Sequence, residues 1–259
     1  MQRLDCNCFA GPWPFHKLRN STMADLVRLH RDNQIEGGFV SSTSAIFYND
    51  PEEADMELAR ELPQGYRHVI TVNPTLPGCL ETIRRECASY PVAGVRVLPG
   101  IHGYPLFDPA LGAVLDLMEE LGLTLFLTLR MEDMRAEYLL HSQAIPIWDV
   151  MELIQGRTRL PILLCNLRAH EVDALKDVLL AQENVYFDCS GLKDGLFKIE
   201  AFDNAGLTRR MVYGSTAAVF CLKSTLLLIE KARIPQQTKE GILTANGFLE
   251  KVTKQVPRA

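Results

Sequence analysis

The stretch Leu4-Asp5-Cys6-Asn7-Cys8-Phe9-Ala10-Gly11 has the pattern of a short buried strand that ends in a loop. Short apolar runs of this kind recur along the chain, and amphipathic stretches separate most of them. This alternation is typical of successive βα units and a parallel sheet. The eight predicted strands are Leu4–Phe9, Gly38–Ser42, His68–Asn73, Gly94–Leu98, Thr124–Leu129, Ile162–Asn166, Val185–Cys189 and Met211–Ser215.

Helices are predicted between these strands, and the first begins after a cap at Ser21. The predicted helices are Met23–Asp32, Glu52–Leu62, Leu80–Tyr90, Ala110–Leu121, Ile147–Gln155, Glu171–Gln182, Gly195–Asn204, Leu222–Ala232 and a last one near Gln236 to Val252. Eight βα units in 259 residues predict a (β/α)8 TIM barrel, whose functional residues gather at the C-terminal ends of the strands. A doubly wound open sheet is the alternative. It would favour a glycine-rich phosphate loop after the first strand, and Phe9-Ala10-Gly11-Pro12-Trp13 is not one.

The composition indicates one globular domain over residues 1–259, because there is no internal repeat, low-complexity tract or long linker. The net charge of −5 is spread along the chain, and no run of Lys or Arg suits a nucleic acid. The most apolar segment, Leu121 to Leu129, is too short to span a bilayer, and no signal-peptide pattern opens the chain. We therefore expect a cytoplasmic protein without nucleic-acid or membrane partners, and homo-oligomerisation stays open.

Seven cysteines lie at scattered positions without a paired zinc-type spacing, which favours reduced thiols over a disulfide framework. Cys6 and Cys8 form a Cys-x-Cys pair on the first predicted strand. Residues two apart on a strand share a face, so both thiols are expected to face the helices if Asn7 faces inward. Packing is the preferred interpretation of this pair over metal binding.

Three stretches carry a further pattern. They are Leu4-Asp5-x-Asn7-x-Phe9-x-Gly11, Gly94-Val95-Arg96-Val97-Leu98-Pro99 running into His102-Gly103-Tyr104-Pro105-Leu106-Phe107-Asp108-Pro109, and Ile242-Leu243-x-x-Asn246-Gly247-x-Leu249. With these motifs the chain resembles, over nearly its whole length, the amidohydrolase-related family (amidohydrolase family 2) of TIM-barrel hydrolases and decarboxylases. The middle stretch is the most specific of the three. The resemblance implies a barrel and hydrolytic or decarboxylating chemistry.

The sequence departs from this family at the positions that hold its metal ion. The family's first strand reads Asp-x-His-x-His-x-Gly, and its two histidines correspond to Asn7 and Phe9 here. The resemblance places Thr128 and Asn166 at the expected histidines after strands five and six, and Thr216 at the aspartate of strand eight. A phenyl ring has no lone pair to donate, and an amide oxygen is a poor zinc ligand. The prediction is therefore no usual catalytic zinc and no assigned cofactor.

A metal bound by a rearranged set such as Asp5, His102 and Asp188 remains an alternative. Most of the replacements are polar, and their side chains could line a wet pocket or hydrogen-bond one another as a structural plug. Both interpretations stay open for Asn7, Thr128, Asn166 and Thr216.

Arginines near the predicted strand ends indicate an anionic ligand, because guanidinium groups suit carboxylates and phosphates. If the register implied by the resemblance holds, Arg96, Arg130 and Arg168 all point toward one mouth. The alternative for Arg130 and Arg168 is surface pairing with Glu132, Asp133 or Glu171, and it is preferred for Arg168. The pocket is preferred for Arg96.

His102, Tyr104 and Asp188 are further candidates near strand ends. His102 could donate or accept a proton, and Tyr104 could contact a substrate. Asp188 could act as a general base, although it could equally orient an arginine. The first loop carries Trp13, Pro14 and Phe15, which could cover the mouth or pack on its rim.

These residues predict a hydrolase that acts on an ester, lactone or amide of a small anionic organic molecule without the usual metal, with decarboxylation as the second choice. The alternative is a catalytically inactive barrel that serves as a ligand-binding or protein-interaction module.

Overall fold

The structure is a computed structural model that describes residues 2–132, 140, 142–193, 195–245 and 247–253. Eight parallel strands form one sheet in sequence order. They are β1 (Leu4–Ala10), β2 (Gly37–Ser42), β3 (Tyr66–Thr71), β4 (Val92–Val97), β5 (Thr124–Thr128), β6 (Ile162–Cys165), β7 (Val185–Asp188) and β8 (Met211–Val212). The amide of Cys6 donates to the carbonyl of Tyr213 at 2.8 Å, and that of Thr216 donates to Asn7 at 2.7 Å. These bonds join the first strand to the segment after the last, so the predicted TIM barrel is confirmed and the open sheet is wrong.

Helices follow the strands and pack around the barrel. They are α1 (Met23–Asp32), α2 (Pro51–Glu61), α3 (Cys79–Ser89), α4 (Pro99–His102), α5 (Pro109–Leu121), α6 (Ile147–Gly156), α7 (Ala169–Ala174), α8 (Lys176–Ala181), α9 (Leu196–Asn204), α10 (Leu222–Lys231), α11 (Gln236–Leu243) and α12 (Phe248–Thr253). In the residues that the structure describes, no helix is both long enough and apolar enough to cross a bilayer.

The first helix has the predicted bounds but not the predicted cap. Its N-cap is Thr22, whose hydroxyl accepts from the amide of Asp25 at 3.1 Å, while the Asp25 carboxylate accepts from the Thr22 amide at 3.3 Å. A cap at Ser21 would place Ala24 at the third helical position, where it has no side-chain acceptor to complete this reciprocal pair.

Two other predicted helices are divided in the structure, and one additional helix is present. The predicted helix Glu171–Gln182 is divided into α7 and α8 at Leu175, and the last predicted helix is divided into α11 and α12. In the second case Ala245 adopts a left-handed conformation with φ of 66°, which ends a helix. The short helix α4 was not predicted. Pro99 opens it and Gly103, with φ of 73°, closes it.

The core has an inner layer inside the barrel and an outer layer between the strands and helices. Cys6 lies in the inner layer and Cys8 in the outer layer, so the expectation that the two thiols share a face is wrong. The register between β1 and β2 shifts between Asp5 and Cys8, and an irregularity of this kind breaks the alternation of a strand. All seven cysteines are free.

One acidic residue of the outer layer should make stability depend on pH. Glu86 of α3 is 1% exposed and accepts a hydrogen bond from the Tyr90 hydroxyl. Burial, and after it the nearby Asp55, raises the pKa of Glu86 to about 8 from an ordinary 4.5. Between these values the folded chain binds more protons than the unfolded chain. The free energy of unfolding should therefore fall as the pH rises from about 4.5 toward 8, by up to about 1.4 kcal/mol per unit from this group.

Replacing Glu86 by Gln should remove this contribution, because the amide oxygen still accepts from Tyr90 but cannot ionise. Urea denaturation at several pH values measures the slope. The exposed Glu81, on the same helix, supplies the matched control Glu81→Gln, which should keep the wild-type slope. Equal slopes in wild type and Glu86→Gln would contradict the prediction.

Candidate active site at the C-terminal end of the barrel

Four fully buried polar side chains meet inside the barrel, and we call them the polar cluster; they come from the middle of β1, the end of β7 and the segments that follow β6 and β8. They are Asn7, Asn166, Asp188 and Thr216. The Nδ2 group of Asn7 lies at the centre, 2.9 Å from Asn166 Oδ1, 3.1 Å from Thr216 Oγ1 and 2.5 Å from Asp188 Oδ2. Its two hydrogens are therefore shared among three oxygens. The structure brings together three of the four polar replacements predicted to line the mouth, and Asp188 joins them.

The backbone around the cluster is strained in the places that aim its side chains. Asn166 and Thr216 have left-handed conformations with φ of 64° and 54°. Such a conformation is unusual for Thr216, whose side chain is branched at Cβ. Gly214 permits the close approach of β8 to its neighbours. A Cβ atom there would lie 2.7 Å from a carboxylate oxygen of Asp188 and 3.0 Å from the Cβ of Asn7.

Asp188 accepts hydrogen bonds from several donors. Its Oδ1 accepts from the amides of Asn166 at 3.0 Å and Ser190 at 3.2 Å, and the Ser190 hydroxyl lies 2.8 Å and 2.9 Å from the two oxygens. Burial raises the pKa of Asp188, although these donors oppose the shift. A carboxyl group with a raised pKa can take up and return a proton more readily than an ordinary aspartate. Ser190 was not among the predicted site residues.

Arg96 of β4 is fully buried beside the cluster. Its Nε donates to Ser41 Oγ at 2.8 Å and its Nη1 to Thr128 Oγ1 at 2.7 Å, while the guanidinium carbon lies 4.3 Å from the centre of the Phe9 ring. In the part of the chain that the structure describes, Nη2 has no hydrogen-bond partner, and the thiol of Cys165 is a neighbour of the guanidinium group. No carboxylate among the described residues forms an ion pair with Arg96. Burial consequently lowers the pKa of this arginine, and a buried cation without a counter-ion is costly.

Thr128 therefore serves Arg96 and lies outside the polar cluster. Ser41, which sequence analysis missed, has the same role from β2. Its signal in the sequence was a polar residue at the end of an otherwise apolar strand.

An apolar cap lies over the same ends of the strands. It consists of Phe9, Trp13, Ile46, Leu98 and Met131, all of them buried. The indole Nε1 of Trp13 donates to Glu132 at 2.6 Å. None of the surface of Arg96 is exposed, and the ring of Phe9, a member of this cap, packs on its guanidinium group.

His102 lies at the rim of the apolar cap. Its Nε2 is 2.9 Å from the carbonyl oxygen of Ile46 and so carries the proton, which leaves Nδ1 as an acceptor without a partner. Burial lowers the pKa of His102, so the neutral ring is favoured. The ring of Tyr104 belongs to the outer core layer and stacks on the ring of His102, with 6.3 Å between the ring centres, and among the described residues its hydroxyl has no hydrogen-bond partner.

Arg130 is already paired. Its two Nη atoms lie 2.7 Å and 2.5 Å from the carboxylate oxygens of Glu171, and Nη1 also donates to the carbonyl of Asn166 at 2.6 Å. Arg130 thus forms the ion pair with Glu171 that was given as the alternative to the pocket. Its bond to the Asn166 carbonyl holds the end of β6 in place. The backbone amide of Arg168 also donates to the Glu171 carboxylate, at 2.7 Å. Asp133 lies outside the described residues.

A cavity of about 470 Å³ lies between the loops that follow β7 and β8. Ser190 lines it on one side, and Lys193, Phe220 and Cys221 line it elsewhere. Because the Ser190 hydroxyl contacts both oxygens of Asp188, this cavity adjoins the polar cluster.

The polar cluster does not fit a zinc ion. It offers amide and hydroxyl groups and one carboxylate, whereas zinc prefers imidazole and thiolate ligands. The rearranged set of Asp5, His102 and Asp188 is also wrong, because Asp5 faces His30 on the outer side of β1 while Asp188 faces inward. Over the described ranges, one group of three or more His, Cys, Asp or Glu residues brings its ligand atoms within 4.8 Å of one another. It consists of Asp5, Cys8 and His30.

Comparison with known proteins gives matches in structure alone. No protein-family model matches the sequence, and no curated protein does. A probable 2-pyrone-4,6-dicarboxylic acid hydrolase from Acinetobacter baumannii, solved with citric acid bound, is 12% identical with a TM-score of 0.70, over 98% of this chain and 100% of that one. A 2,6-dihydroxybenzoate decarboxylase from Rhizobium is 14% identical with a TM-score of 0.69, over 98% and 99%.

A third structure, described as amidohydrolase II, is 14% identical with a TM-score of 0.70, over 97% and 100% of the two chains. At these identities the likeness establishes the fold. The chain is thus a single TIM barrel, and its structural neighbours include proteins named as a probable hydrolase, an amidohydrolase and a decarboxylase.

Proposed function

We propose that this protein is a hydrolase of a small anionic organic molecule and that its reaction uses no catalytic metal ion. The observation that carries the proposal is Arg96, a fully buried guanidinium that has no ion-pair partner among the described residues and whose Nη2 has no hydrogen bond to them. A carboxylate on the ligand would supply both the missing charge and the missing acceptor.

The proposed roles follow from the contacts. Arg96 holds the anionic group and stabilises negative charge that develops on the substrate, while Thr128 and Ser41 fix its orientation. Asp188 moves a proton between water and the leaving group, with His102 Nδ1 as the second candidate for that role. Hydrolysis of an ester, lactone or amide is the preferred reaction, and decarboxylation is the second.

The remaining members of the polar cluster would contact the substrate. Asn7 and Asn166 each keep one side-chain atom without a partner, Oδ1 in the first and Nδ2 in the second. One acceptor and one donor are therefore available beside Asp188. Buried polar atoms without partners are uncommon in folded proteins, and a bound substrate or water would satisfy them.

Binding at Arg96 requires the apolar cap to move, because Arg96 is inaccessible beneath it. The cavity lined by Ser190 is separated from the buried Asp188 by the Ser190 side chain, whose hydroxyl contacts the carboxylate. The neighbours lend support of a general kind, since their names refer to dicarboxylic and dihydroxybenzoic acids, and citric acid is bound in one of them.

A catalytically inactive, ligand-binding or interacting barrel is the second candidate. The specific observation in its favour is that Asn7, Asn166, Asp188 and Thr216 bond one another beneath a closed apolar cap. Such a network would also stabilise a barrel that has no reaction to perform.

Replacing Arg96 by Met tests the proposal. Met fills much of the same volume without charge, and replacing a buried charge by a well-packed apolar group is often neutral or stabilising. We expect unchanged or higher thermal stability together with a loss of about 10² in turnover. The assay is a panel of carboxylate-bearing lactones, esters and amides of about the size of citrate.

Arg67 supplies the matched control. It is half-buried and lies over an aromatic ring, with its guanidinium 5.3 Å from the centre of Phe39, but it is on β3 at the opposite end of the barrel. Arg67→Met should retain turnover. Equal activity in the wild type and both variants would contradict the proposed role of Arg96, and no turnover of the panel by the wild type would favour the inactive barrel.

A further inference from the structure

Three side chains that commonly bind metals converge on the outer side of β1. They are Asp5, Cys8 and His30, and we call them the outer triad. One ligand atom of each lies within 4.8 Å of the other two, and all three residues are fully buried. The triad is separate from the polar cluster, because it lies between the barrel wall and α1.

The fold assembles the triad from two elements. The irregularity in β1 turns Cys8 outward, and α1 brings His30 so that its Nε2 lies 3.2 Å from Asp5 Oδ2. On the neighbouring strand β2, Gly38 has no side chain and so leaves room for β1 at Asp5 and Cys8. A Cβ atom at that position would lie 3.2 Å from the Cys8 sulfur and 2.6 Å from the Asp5 carbonyl oxygen.

His30 is oriented as a metal-bound histidine usually is. Its Nδ1 lies 2.9 Å from the Tyr66 hydroxyl, and its ring stacks on Tyr66 with 4° between the planes. A hydrogen bond at one ring nitrogen fixes the ring so that the other nitrogen faces the ion. The nitrogen that faces Asp5 and Cys8 here is Nε2.

We propose that the outer triad binds a divalent transition-metal ion of the zinc type. The set provides three donors, one oxygen, one nitrogen and one sulfur, all of which zinc accepts, and a water would complete the tetrahedral shell. Donors around tetrahedral zinc lie about 3.3 to 3.8 Å apart, as bond lengths of about 2.0 to 2.3 Å require. The Asp5 to His30 distance already falls near that range, and a shift of Cys8 would complete it.

The charge and proton changes balance. The Asp5 carboxylate and a Cys8 thiolate together neutralise the two positive charges of the ion. The Cys8 thiol, which otherwise donates to the carbonyl of Phe39 at 3.2 Å, releases its proton to solvent. The Nε2 proton of His30 moves to Nδ1, where it bonds the Tyr66 oxygen. The bound ion would fasten α1 to β1 and is a structural site, independent of the proposed reaction.

Cobalt(II) loading tests the proposal directly. Wild-type protein is stripped with a chelator, incubated with Co²⁺ and dialysed, and its metal content and near-ultraviolet absorption are measured. We expect about one ion per chain and a thiolate-to-cobalt absorption band, which requires sulfur ligation. Cys8→Ala should lose the band and at least about tenfold in affinity, the scale expected for lost coordination.

Cys6→Ala is the matched control, because Cys6 lies on the same strand, is equally buried and belongs to the inner core layer. It should keep both the ion and the band. If Cys8→Ala fails to fold, His30→Gln is measured in its place. It should show the same loss of affinity, and the absorption band of the Cys8 thiolate should shift or disappear. No retained cobalt in the wild type, or an unchanged band in Cys8→Ala, would overturn the proposal.

Discussion

Asp188→Asn should reduce turnover by about 10³ while the protein remains folded, because an amide cannot exchange a proton with substrate or water. The substitution should be tolerated structurally. Within the described residues, the hydrogen bonds that the Asp188 carboxylate accepts come from Asn7, Asn166 and Ser190. The new amide can donate to Ser190 Oγ or, after a flip of the Asn7 side chain, to the Asn7 oxygen that now has no partner. Thermal denaturation measured alongside the assay separates a loss of turnover from a loss of stability.

A second buried aspartate outside the barrel mouth provides the control. Burial raises the pKa of Asp55 as it does that of Asp188, but Asp55 contacts His68 and the amide of Thr71 in the outer layer. Asp55→Asn should keep turnover within about threefold of wild type, as expected for a residue that takes no part in the reaction. A similar loss in both variants, or none in Asp188→Asn, would remove Asp188 from the proposed reaction.

Asp5→Ala should lower the free energy of unfolding by about 3 to 5 kcal/mol, the range for breaking a buried pair. The Asp5 carboxylate accepts from the amides of Asn7 at 3.1 Å and Ser215 at 3.0 Å, from the Ser215 hydroxyl, and from His30. It therefore joins β1 to the segment after β8 and to α1. Its removal leaves several buried donors without acceptors.

Urea denaturation of chelator-treated protein measures this loss in the absence of bound metal. Asp32→Ala is the control, since Asp32 is exposed at the end of α1, and its effect should stay within about 0.5 kcal/mol. A loss below about 1 kcal/mol for Asp5→Ala would mean that the barrel closes without this carboxylate.

The barrel could be predicted from sequence because its signal is local and repeated. Each strand is a short apolar run, each helix is amphipathic, and the order of the two alone defines the fold class. The strand bounds shifted by one to three residues. β3 begins at Tyr66 and not at His68, because the half-buried residues at its start carry little hydrophobic signal.

Part of the candidate site followed from the same reasoning. Parallel strands end on one side of a barrel, so Asn7, Asn166, Asp188 and Thr216 were expected near one mouth. Their mutual hydrogen bonds depend on left-handed conformations at two of them and on Gly214, which sequence periodicity does not encode. Asn246, in the third family motif, lies outside the described residues.

The remaining features depend on contacts between distant parts of the chain. Ser41 and Arg96 are 55 residues apart, and Asp5 and His30 are 25 apart. Cys8 reaches the outer layer because of an irregularity in β1 that strict alternation does not anticipate. Tyr104 follows the short helix α4 and packs outward, although its position after β4 favoured the mouth.

Calorimetric titration of the chelator-treated wild type with small mono-, di- and tricarboxylates, citrate among them, tests the central claim most directly. The proposed metal-free anion site predicts saturable one-to-one binding of at least one carboxylate, lost in Arg96→Met and retained in Arg67→Met. Binding that appears only after metal is restored, or that is equal in wild type and Arg96→Met, would contradict the claim that Arg96 recognises the anion without a metal ion.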